Sequence, residues 1–123
     1  MTSTAEHEDI VRGVMDRWKA AVDAHDFEQV ATYFTQDAIF QGLHPYSVGP
    51  ASVAEYYASQ PSDMRAQYKI LETRQIAHDV VLGYLGVEFS YADRPTRHVW
   101  ISVLLKRTPS GWAIGHYQVS KLD

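Results

Sequence analysis

Arg97-His98-Val99-Trp100-Ile101-Ser102-Val103-Leu104-Leu105-Lys106-Arg107, then Thr108-Pro109-Ser110-Gly111, then Trp112-Ala113-Ile114-Gly115-His116-Tyr117-Gln118-Val119-Ser120, is the stretch that decides the fold. The first run is rich in β-branched and aromatic residues, which suit a pleated, half-buried surface. Val99, Ile101, Val103 and Leu105 alternate with Trp100 and Leu104, the two-residue period of a strand. A Pro/Gly turn follows, and a second alternating run completes a hairpin. Under strict alternation Ile114, His116, Gln118 and Ser120 share one face. Burying imidazole, amide and hydroxyl groups is costly unless each finds a partner. That face is therefore either wet or the base of a polar-floored pocket.

The same period extends upstream. Gln67 to Ile76 reads as a strand, His78-Asp79 as a turn, and Val80 to Tyr91 as a long strand closed by the Asp93-Arg94-Pro95 turn. Gly83 and Gly86 lie inside that long strand, where a bulge or bend is expected. The N-terminal half changes period. Ile10, Val11, Val14, Met15, Trp18, Ala21, Val22 and His25 recur at helical spacing, predicting a helix over about 6–24, with Ser3 and Glu6 at capping-box spacing. Asp26 caps a second helix over 27–34, built on Phe27, Val30, Ala31 and Phe34. Ala38 to Gln41 is a short strand and Gly42 to Val48 a loop. Gly49-Pro50-Ala51-Ser52 then opens a third helix, with Val53, Tyr56 and Tyr57 inward, that stops before Pro61. Three helices and a long antiparallel meander make an α+β chain. It reads as a single domain over 1–123, with residues 1–5 expected to be disordered.

Composition sets the outer bounds. With 11 basic and 15 acidic residues the formal charge is −4, which argues against nucleic acid or an anionic membrane as the main partner. There is no cysteine, hence no disulfide framework and no thiolate chemistry. The N-terminal stretch is acidic, and no apolar run approaches the roughly 20 residues of a membrane span, so a cytoplasmic protein is expected. The six histidines show neither His-x-His nor His-Glu-x-x-His spacing, so no metal is expected. Both faces of the strands carry apolar groups, although helices on one side would leave the other wet. Trp100 and Leu104 on the second face predict a homodimer made sheet to sheet.

These elements, in this order, resemble a known fold. Trp18-Lys19-Ala20-Ala21-Val22-Asp23-Ala24-His25-Asp26, Phe34-Thr35-Gln36-Asp37-Ala38-Ile39-Phe40, and Gly49 ahead of a helix carrying Tyr56-Tyr57 are similar to the nuclear-transport-factor-2-like, or SnoaL-like, cone. The ending Gly111-Trp112-Ala113-Ile114 with His116-Tyr117-Gln118-Val119-Ser120 resembles the SgcJ/EcaC-like subgroup of ketosteroid isomerase homologues. The resemblance implies a curved antiparallel sheet packed on three N-terminal helices, with a cavity between them. It is weakly informative about activity, because the fold hosts isomerases, cyclases, dehydratases, epoxide hydrolases and non-catalytic binders. Ketosteroid isomerase needs a tyrosine, an aspartate base and a protonated aspartate. Its positions fall here on Trp18, Gly42 and Val103, none of which can do that work.

By the same resemblance, the stripe Ile114, His116, Gln118, Ser120 faces the cavity with Ile101 and Val103, joined by Tyr84 and Glu88 from the preceding strand. Trp18, Phe34, Tyr57 and the loop residues Gln41, His44 and Tyr46 close it. His116 is the candidate acid or base, since imidazole titrates near neutrality, and Glu88 would orient it. The expected ligand is a small apolar or aromatic, polyketide-like metabolite handled without a cofactor. Three functions follow as alternatives: acid–base isomerisation, cyclisation or dehydration; non-catalytic binding of the same ligand; or a dimeric protein-interaction module.

Overall fold

The computed structural model describes residues 4–122. Helix α1 spans Thr4–Asp23, α2 Phe27–Ala31 and α3 Pro50–Ala58. The strands are β1 Phe34–Gln41, β2 Ser47–Val48, β3 Arg65–Ala77, β4 Val80–Ser90, β5 Arg97–Thr108 and β6 Gly111–Ser120. They form one sheet in the order β2-β1-β6-β5-β4-β3. The expected meander β3 to β6 is antiparallel throughout, and β1 adds to β6 in parallel. This is the α+β, helix-backed curved sheet that the sequence predicts.

Helix α1 lays Val11, Val14, Met15, Trp18 and Val22 on the sheet, all buried. Gly83, on the inward side of β4, lets it approach: a Cβ there would stand 3.2 Å from both Val11 and Val103 side chains. The helix ends in a Schellman motif, Asp26 N–H to Ala21 C=O at 2.9 Å and His25 N–H to Val22 C=O at 2.9 Å. His25 holds the left-handed position, φ 54°, where glycine is commoner. Its last turn is tied to the sheet by Asp23, whose Oδ1 accepts the Ala66 N–H at 2.8 Å.

The boundaries depart from expectation in three places. Ser47–Val48, expected as part of a loop, pairs with β1 as strand β2. Residues 4 and 5 already belong to α1, while the rest of the stretch expected to be disordered and the Ser3–Glu6 cap lie outside the described residues. Helix α2 stops at Ala31 rather than at Phe34, and β1 begins at Phe34 instead of Ala38. The Tyr33 carbonyl accepts the Ile114 N–H at 2.7 Å, so cross-chain pairing takes over where the helix would have continued.

The largest correction concerns register. β4 pairs with β5 without interruption from Val80↔Lys106 to Phe89↔Arg97, so neither Gly83 nor Gly86 makes a bulge. The irregularities lie in β3 around Leu71 and Ile76, and in β6 at Gly115, between Leu104↔His116 and Leu105↔Ile114. One extra residue at Gly115 shifts the alternation beyond it. Ile114 points inward as expected, but so do Tyr117 and Val119. His116, Gln118 and Ser120 therefore lie on the outer face.

Candidate functional site

Inside the cone the cavity expected to be long and aromatic-walled is largely filled by its own walls. Phe40 stacks on Tyr117 at 4.7 Å and 17°. Phe34 meets Phe40 edge-on at 5.7 Å, Trp18 meets Phe89 at 6.1 Å, and Tyr56 meets Phe40 at 4.9 Å. Trp18, Phe34, Tyr57, Ile101 and Val103, five of the residues expected around a ligand, are buried parts of this core.

The remaining candidates are elsewhere. Glu88 and Tyr84 stand on the outer side of β4, in line with Gly86, while Leu85, Val87 and Phe89 point in. Glu88 faces His98 across the β4–β5 pair, Oε1 to Nδ1 at 3.4 Å. It does not reach His116, which is two strands away and sits 3.4 Å from Gln118 Oε1. The expected Glu88–His116 acid–base pair is thus not formed. Gln41 is half-buried on the side of β1 opposite Phe40 and registers with Gln118. His44 lies exposed beside Tyr56 at 6.1 Å, and Tyr46 is 67% exposed.

A different constellation occupies the mouth of the cone, where a cavity of about 20 Å³ remains. That is the room for one water-sized group. α3 and the turn after it contribute Tyr56, Tyr57 and Gln60; β4 and its exit contribute Phe89 and Tyr91. β5 adds Arg97 and Val99, β6 adds Tyr117 and Val119, and Leu43 covers the opening from the loop after β1. At Gly42, where the resemblance would place a catalytic aspartate, a Cβ would stand 2.6 Å from Tyr56 Oη, so a side chain there would have to push the Tyr56 ring aside.

The polar groups of this mouth form a directed chain. Trp18 Nε1–H donates to Tyr57 Oη at 3.1 Å, and Tyr57 Oη–H donates to Tyr117 Oη at 3.3 Å. Among the described residues no group accepts the Tyr117 hydroxyl proton. Burial pushes Tyr57 well above the ordinary phenol range, partly opposed by the hydrogen bond it accepts from Trp18. Burial also raises Tyr117, reinforced by neighbouring Tyr57, and it raises Tyr56, reinforced by Tyr91 and opposed by the Arg97 guanidinium. All three remain neutral donors at neutral pH.

Tyr117, Tyr56, Gln60, Tyr91 and Arg97 were not among the residues expected at the site. A glycine inside an alternating strand is a bulge signal. Applied at Gly115, it turns the apolar pair Tyr117 and Val119 inward. Among the described residues no group of three or more His, Asp or Glu is placed to hold a metal ion. No helix among them is long and apolar enough to cross a membrane.

Comparison with known proteins agrees with this architecture. The profile of the SnoaL-like domain family matches residues 11–123. A cystatin-like-fold domain of unknown function from Nostoc punctiforme superposes with TM-score 0.83 at 16% identity, over 99% of this chain and 80% of that one. A ketosteroid isomerase-like protein from Erwinia carotovora atroseptica gives 0.76 at 22% identity, over 96% and 98%. A nuclear-transport-factor-2-like protein of unknown function from Shewanella oneidensis gives 0.81 at 13% identity, over 93% and 98%. At these identities the likeness is one of fold. No curated protein matches the sequence.

Proposed function

This chain belongs to the SnoaL-like domain family, and on that premise we propose that it binds a small apolar or aromatic metabolite at the mouth of the cone. The ligand inserts a polar head group between Tyr56, Tyr57 and Tyr117. The observation that carries this reading is the hydrogen-bond chain from Trp18 through Tyr57 to Tyr117, which ends on an unused phenol proton beside the cavity. A buried donor without an acceptor is costly, and a ligand oxygen would satisfy it. The apolar body of the ligand would lie on Leu43 and Tyr91 at the opening.

Binding, rather than acid–base turnover, is what the side chains support. The inward-facing titratable groups of the core are phenols whose pKa values are raised, so they donate hydrogen bonds but do not abstract protons at neutral pH. They would stabilise negative charge developing on a bound carbonyl oxygen, the one catalytic contribution this geometry favours. His116 and Glu88 have no part in it, being on the outer face. Calorimetric titration of arylalkyl carbonyl compounds tests the site. Tyr117→Phe should weaken binding about 2- to 10-fold, the worth of one hydrogen bond, with the fold retained. Unchanged affinity in a folded Tyr117→Phe variant would remove the phenol chain from the site.

A second proposal concerns the outer face. Trp100, Leu104, Leu82 and Tyr84 form a half-buried apolar stripe there, with no helix among the described residues over it. It supports a sheet-to-sheet homodimer. Sedimentation should give twice the 14.0 kDa chain mass, reduced to the monomer by Trp100→Glu. A monomer at tens of micromolar would rule the dimer out.

A further inference from the structure

Arg97 opens β5 directly opposite Phe89 and shares the inward side of that strand with Val99 and Ile101. Arg97 therefore lines the cavity at the cone mouth with Tyr56, Tyr91 and Gln60, while its other side borders an open groove with Arg94, Pro95 and His98. Among the described residues the cavity wall contains no Asp or Glu. Among the described residues Arg97 makes neither an ion pair nor a side-chain hydrogen bond, although the chain as a whole carries a net charge of −4. Two acids of the flanking loops are engaged elsewhere. Asp93 pairs with Arg94 at 3.3 Å, and Asp63 Oδ2 accepts the Ala92 N–H at 2.8 Å. Arg94 itself lies over the Tyr91 ring at 5.2 Å rather than in the cavity.

The mouth is thus a pocket of donors: one guanidinium, the phenols of Tyr56 and Tyr117, and the Gln60 amide. Only Gln60 adds a side-chain carbonyl acceptor. We infer that the head group it receives is a carboxylate, so that the ligand is an apolar or aromatic carboxylic acid in its anionic form. The guanidinium offers a planar fork that matches the two carboxylate oxygens, and hydrogen bonds to an ionised acceptor are about twice as strong as neutral ones. Leu43, 39% exposed at the opening, offers the aryl or alkyl body an apolar contact.

The inference rests on the proposed head-group site, and one experiment separates the two. 3-Phenylpropionate and its primary amide are titrated calorimetrically at low ionic strength into the wild-type protein, Arg97→Gln, Arg97→Lys and Tyr117→Phe. The acid should bind about tenfold more tightly than the amide, as expected for a charge-assisted contact. Arg97→Gln should abolish that preference by weakening the acid far more than the amide, and Arg97→Lys should keep part of it. Added salt should shrink the preference, because Arg97 is solvent-accessible. Equal binding of acid and amide, both weakened by Tyr117→Phe, would overturn the carboxylate assignment and leave the site standing. No binding of either compound to the wild type at millimolar concentration would overturn both.

Discussion

The hydroxyls of Tyr57 and Tyr117 meet 3.3 Å apart inside the cone, and burial keeps both phenols protonated. That has a consequence for stability. In the unfolded chain a tyrosine ionises near pH 10, whereas in the fold it holds its proton to higher pH. Above pH 10 the unfolded state therefore binds fewer protons, and stability falls as pH rises. Below pH 10 the contribution is fully present. The expected loss is about 1.4 kcal/mol per pH unit for each buried phenol once the unfolded form has titrated. Guanidinium melts between pH 9 and 11.5 should show this slope, and Tyr57→Phe should reduce it by about one phenol's share. An identical slope in that variant would mean that the hydroxyl is not buried as described. At this scale the sequence was partly legible. Trp18 and Tyr57 were expected at the cavity and make the first link of its hydrogen-bond chain. Tyr117, which completes it, alternates away from the cavity when β6 is read without a bulge, and nothing in the sequence separates Arg97 from an ordinary charged strand end.

At the scale of elements, periodicity located α1 and the four strands of the meander, because each was long enough to repeat its pattern, whereas the short α2 and α3 are marked by the Asp26 cap and the Gly49-Pro50 start. It placed Val99, Ile101, Val103 and Leu105 inward on β5, and all four are buried. It failed where one residue breaks the count. Strand alternation has period two, so a single bulge reverses all that follows. Gly115 does this in β6, moving His116, Gln118 and Ser120 outward and Tyr117 inward. Gly83 and Gly86 looked like equally good bulge sites but are not. Gly83 is glycine because α1 passes against it, a demand set by packing between elements distant in sequence. The α2–β1 boundary was misplaced for a related reason: Phe34 continues the helical apolar spacing, yet the strand pairing that claims it comes from β6, some 80 residues later.

At the scale of the molecule, the sheet curls around α1 and its interior is closed by aromatic packing. What remains open is the mouth, and the outer sheet face is the other surface with recognisable character. It carries a groove of about 320 Å³ bounded by Lys69, Leu71, Gly86 and Trp100. The two surfaces make opposite claims about where a small molecule would bind. The three tryptophans distinguish them. Trp18 Nε1–H is hydrogen-bonded to Tyr57 at the base of the mouth, Trp100 stands on the outer face, and Trp112 opens β6 at the far end of that strand. The measurement to make is a proton–nitrogen correlation spectrum of the indole groups during titration with 3-phenylpropionate. Occupation of the mouth predicts a saturable shift of the Trp18 resonance, with Trp100 and Trp112 unmoved. A saturable shift of Trp100 with Trp18 unchanged would place the binding site on the outer face and contradict the account.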